Sequence, residues 1–84
     1  MTGTALGITA DQSVVIHLGS VRVETEGTAP WHVFRAQFEP ANGGTGLEFA
    51  RAYSLATATT YLEQYVQRYA RTQGLVGRID WSAQ

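Results

Sequence analysis

One stretch of the chain, from Leu55 to Gln73, constrains the fold more than any other. Leu55, Ala58, Leu62, Tyr65, Val66 and Tyr69 recur at three- and four-residue spacing. On a helix that spacing makes a single apolar stripe. Ser54 stands where an N-cap belongs, and Gly74 where a left-handed residue closes a helix, with Leu75 placed to fold back onto the last turn. Gln64, Gln67, Arg68 and Arg71 fall off the stripe. A helix with one apolar stripe must lie on something. About 19 residues span about 28 Å, enough to cover one face of a small sheet and not both.

The segments around it read as strands. Val14, Ile16 and Leu18 alternate with polar residues, and Val21 and Val23 alternate in the opposite phase. A two-residue turn at Gly19-Ser20 restores the phase and makes residues 13–26 a hairpin, pairing Leu18 with Val21, Ile16 with Val23 and His17 with Arg22. One long strand with a bulge at Gly19 is the alternative. Trp31–Glu39 is rich in aromatic and β-branched residues, the turn-forming run Pro40–Gly46 follows it, and Leu47–Tyr53 returns as its partner. Val76–Trp81 reads as a last strand. Residues 1–11, rich in Thr, Gly and Ala, read either as a flexible lead-in or, from the weak alternation of Leu6 and Ile8, as a short strand. The expectation is a single α+β domain over residues 12–84. Its antiparallel sheet has about five strands, two hairpins plus a C-terminal strand, packed on one face by a single long helix. The order is β-β-β-β-α-β.

Composition removes most chemistry. The 84 residues suit one domain with a thin core, and there is no cysteine to staple it or to act as a thiolate. All six cations are Arg, Lys is absent, and the net charge is −1, which argues against broad attraction to nucleic acid or anionic membranes. No run approaches the ~20 apolar residues of a membrane helix. The first ten residues lack the basic start of a signal peptide, so a cytoplasmic setting is expected. No nucleophile elbow, phosphate loop or dinucleotide fingerprint is present. Gly43-Gly44-Thr45-Gly46 joins two strands, so no helix N-terminus stands behind it. His17 and His32 lie in different strands and would need a third ligand such as Asp11 or Glu39. The residues therefore point to no enzyme activity, no catalytic residue, no metal and no cofactor.

What remains is surface. The hairpin registry places His17, Arg22, Glu24, Trp31, Val33, Arg35 and Arg51 on the sheet face away from the helix. Trp and Arg are the residues most enriched at interaction hot spots. Tyr61, Tyr65 and Tyr69 recur every four residues on the helix, as the rim of the core or as a ridge at an interface. Tyr61 and Tyr65 join the candidate binding residues on the second reading. The expected function is a small protein-binding module that occludes a larger complex.

The layout, a short cysteine-free chain with an antiparallel sheet and one helix, is similar to several phage-encoded inhibitors, including some anti-CRISPR proteins. That resemblance implies a host defence complex as partner. The alternative is a sheet-face DNA-binding module. The segment from Trp31 to Ala70 resembles the arm-binding domains of phage integrases, which would make Arg22, Arg35 and Arg51 the DNA readers. The −1 charge and the interleaved Glu24, Glu39 and Glu48 depart from that pattern. A sheet covered on one face also leaves its other face and its edges partly bare, and a two-fold homodimer through the exposed face or an edge strand is the simplest way to cover them.

Overall fold

The computed structural model describes residues 1–27, 32–44, 46 and 50–82. Trp31 and the expected strand positions Leu47, Glu48 and Phe49 lie outside the described residues. The elements are β1 (Thr2–Ile8), β2 (Val15–Glu26), β3 (Val33–Pro40), β4 (Ala50–Ala52), α1 (Leu55–Arg71) and β5 (Val76–Trp81). The strands form one antiparallel sheet in the order β4-β3-β2-β1-β5, with α1 across one face. The expected α+β architecture and element order are present.

The first hairpin is not where the phase reversal placed it. No turn forms at Gly19-Ser20, and β2 runs straight through it. Leu18 does not pair with Val21, nor Ile16 with Val23, nor His17 with Arg22; Arg22 sits between Thr2 and Gln37, and His17 faces Leu6. A bulge absorbs the change of phase. Ala5 pairs with Gly19 and Leu6 with His17, so Leu18 is the extra residue on β2. Gly19 serves close approach here: a Cβ at this position would run into the backbone carbonyl of Glu39 on β3.

Residues 1–11 hold the short strand that Leu6 and Ile8 suggest and are not a flexible lead-in. β1 lies inside the sheet, paired with β2 on one side and β5 on the other. Its small residues have a packing reason. A Cβ on Gly7 would meet the side chains of Leu75 and Leu18, and one on Gly3 would meet Trp81 and Val21. Neighbouring strands, and Leu75 just before β5, thus supply the side chains that fill the space above β1.

The turn from β1 to β2 is held by Asp11. Its carboxylate accepts hydrogen bonds from the hydroxyls of Thr9 and Ser13, both at 2.7 Å, and from the Ser13 N–H at 3.1 Å. These bonds favour the ionised form and hold the Asp11 carboxyl at about 2. Gln12 in the same turn adopts φ 62°, a left-handed conformation that costs a side-chain-bearing residue.

The helix begins and ends as its sequence signals require. The Ser54 hydroxyl accepts the Thr57 N–H at 3.1 Å. At the other end Leu75 N–H bonds to Ala70 C=O and Gly74 N–H to Arg71 C=O, with Gly74 at φ 73°. Those two bonds make a Schellman motif, and only glycine takes that φ without cost. Ala58, Leu62, Val66 and Ala70 are buried against Ala5, Leu18, Val21, Val23, Ala36 and Phe38 of the sheet. The rings of Tyr65 and Tyr69 close the core at Phe38, with centroids 5.7 and 5.1 Å away.

Candidate functional site

Alternation along each strand decides what the uncovered face presents. On β2, buried Val21 and Val23 point to the helix, so Arg22, Glu24 and Glu26 point away from it. On β3, Ala36 and Phe38 are covered, which leaves Val33, Arg35, Gln37 and Glu39 on the open side. Register carries this across the sheet as rows. Arg51, Arg35 and Glu24 form one row; Gln37, Arg22 and Thr2 the next; then Glu39, Ser20, Thr4 and Asp80. Beyond the bulge come His17, Leu6 and Arg78, and finally Val15, Ile8 and Val76.

The open face therefore has two halves. The first is a polar lattice. Arg22 donates to the Gln37 side-chain carbonyl through Nε at 3.0 Å and Nη2 at 2.7 Å, and pairs with Glu24 at 3.1 Å. Glu26 takes Arg35 on one carboxylate oxygen and Arg51 on the other, the latter at 3.7 Å. Among the described residues the face carries four Arg (22, 35, 51 and 78) and four carboxylates (Glu24, Glu26, Glu39 and Asp80), so its charges cancel. The second half is apolar and wet. Val15 is 55% exposed and Val76 61% exposed, with half-buried Ile8 between them. Val14, just before β2, is also exposed, and Ile16, opposite Gly7, is exposed on the helix side of the sheet.

The residues singled out from sequence divide between two sides of the molecule. Arg22, Arg35, Arg51, Val33 and His17 share the open face, as the alternation required. Arg35 and Val33 are half-buried there, while Arg22, Arg51 and His17 are exposed. Trp31, the intended anchor, lies outside the described residues. Tyr61 and Tyr65 belong to α1 on the opposite side. Tyr65 leans on Phe38 as part of the core rim, and Tyr61 is exposed. Ile8, Val15 and Val76 were missed. Their signal was present in the β-branched run Val14-Val15-Ile16, but it needed β1 as the middle strand to become a patch.

Among the described residues no three His, Cys, Asp or Glu side chains gather to hold a metal ion, and no helix is long and apolar enough to cross a membrane. Compared with known proteins, the chain matches no family model, no curated protein and no solved structure.

Proposed function

We propose that this chain is a protein-binding module that docks through its open sheet face and acts by covering what it binds. The observation that carries this reading is the division of that face. An exposed apolar row, Val15–Ile8–Val76, continues into a lattice of Arg and Glu whose charges cancel. An apolar end beside a charge-matched polar half suits a protein surface, where buried apolar area supplies affinity and matched charges supply register. The same cancellation disfavours a duplex, whose phosphates need a net positive face. The likeness to phage-encoded inhibitors is one of layout, and it makes a host defence complex one partner to try.

The test is affinity capture from native-host extract with three baits. Against the wild-type chain, the double variant Val15→Asp with Arg22→Ala is expected to lose the specifically captured protein. It should still melt within a few degrees of wild type, because both positions are exposed. A helix-surface variant, Gln64→Glu with Arg68→Glu, should capture as wild type does. Capture unchanged by the open-face variant overturns the reading. So does clear binding to random-sequence duplex at about 50 mM salt, which would move the chain to the nucleic-acid class.

A further inference from the structure

β5 is the last strand of the sheet on its side, and its outer edge has a definite chemistry. Ser82 N–H bonds to Thr2 C=O at 2.9 Å, so even-numbered residues of this strand turn their backbone groups towards β1. The Met1–Val23 bonds agree, since they send the odd-numbered residues of β1 to β2. It follows that Gly77, Ile79 and Trp81 point their N–H and C=O groups outward. The side chains split the other way: Arg78 and Asp80 stand on the open face, while Ile79 and Trp81 turn towards the helix side. Among the described residues neither Arg78 nor Asp80 makes an ion pair.

We infer that β5 pairs antiparallel with β5 of a second copy of this chain, about a two-fold axis at Ile79. In that register Arg78 of each protomer opposes the partner's Asp80, so two unpartnered charges on one chain become two cross-strand ion pairs. Ile79 meets its own copy. Trp81 falls opposite Gly77, which has no side chain and lies close under the α1 backbone at Val66 and Gln67. The outward backbone groups of Gly77, Ile79 and Trp81 are those that a dyad at Ile79 bonds, each pair exchanging both hydrogen bonds. Shifting the register by one residue would oppose backbone groups of the wrong parity. Shifting it by two would leave each Arg78 facing its own copy, or each Asp80 facing its own. The pairing satisfies an edge that otherwise invites unspecific strand addition. It doubles the width of the sheet and leaves the open face bare, so it does not depend on what that face binds.

The experiment is sedimentation equilibrium on the full chain from about 5 to about 500 µM, a range over which mass action separates monomer from a weak dimer. Wild type is expected to reach the dimer mass at the upper end. Arg78→Asp alone and Asp80→Arg alone should each weaken dimerisation at least about tenfold, because each places like charges opposite one another. Mixing those two variants should restore a heterodimer, and so should the double exchange within one chain. Amide hydrogen exchange of the wild type adds a readout that needs no variant. Gly77, Ile79 and Trp81 should slow with concentration, while Arg78 and Asp80, already bonded to β1, should not. Wild type that stays monomeric overturns the inference. So do single variants that dimerise normally, or concentration-dependent protection on any other element instead.

Discussion

The two faces of β2 are made from one run of residues and obey different physics. Val21 and Val23 are buried under the helix, and Arg22 and Glu24, which alternate with them, are exposed. On the covered side, energy comes from close packing, and the loss of a methylene is felt directly. On the open side, each charge trades water for a partner at nearly equal free energy. The covered face thus decides whether the chain folds, and the open face is left to decide what the folded chain meets.

The sharpest test of that division is Leu62→Ala. Leu62 is fully buried at the centre of the helix stripe, and the change should cost about 2–5 kcal/mol, read from the denaturant midpoint. A domain of this size has few such increments to lose. Arg35→Ala should move the same midpoint by less than about 1 kcal/mol, because its pair with Glu26 is about one-third exposed on both partners. A loss as large as that of Leu62→Ala would erase the distinction between the faces. The smallest effect belongs to the turn that starts β2 and so fixes which residues go to which side. Asp11 titrates at about 2 in the fold against an ordinary 3.8. Its ionised form therefore adds stability above pH 3.8, and that contribution fades as pH falls towards 2. Asp11→Asn should melt slightly below wild type at pH 5, and the gap should close by about pH 2.

The covered face was the more legible of the two. The helix announced itself because its stripe, cap and closing glycine all agree, and local agreement of that kind survives tertiary context. The β3 alternation was equally plain. β1 was less so: only Leu6 and Ile8 suggest it, because its covered positions are Gly3, Ala5 and Gly7, and a strand read by its large apolar residues is faint when its neighbours provide them. The change of phase in β2 allows two causes, a turn at Gly19-Ser20 or a bulge in one long strand, and the bulge, the second of them, is the one that forms. A tight turn and a bulge both flip alternation, and only the tertiary approach of Glu39 to Gly19 separates them. With β1 unplaced, the row Val15–Ile8–Val76 had no middle, so the candidate interface was drawn at its charged half alone.

The placement of β1 between β2 and β5 also orders events in time. During synthesis β1, β2 and β3 can zip together as a local meander while the rest of the chain is still being made. β5 is the last strand to emerge, yet it must find a place beside the first. Until it does, one flank of β1 is an unzipped seam above an unfinished core. The slowest part of self-assembly should then be this long-range closure, and the window for misassociation lasts as long as it takes.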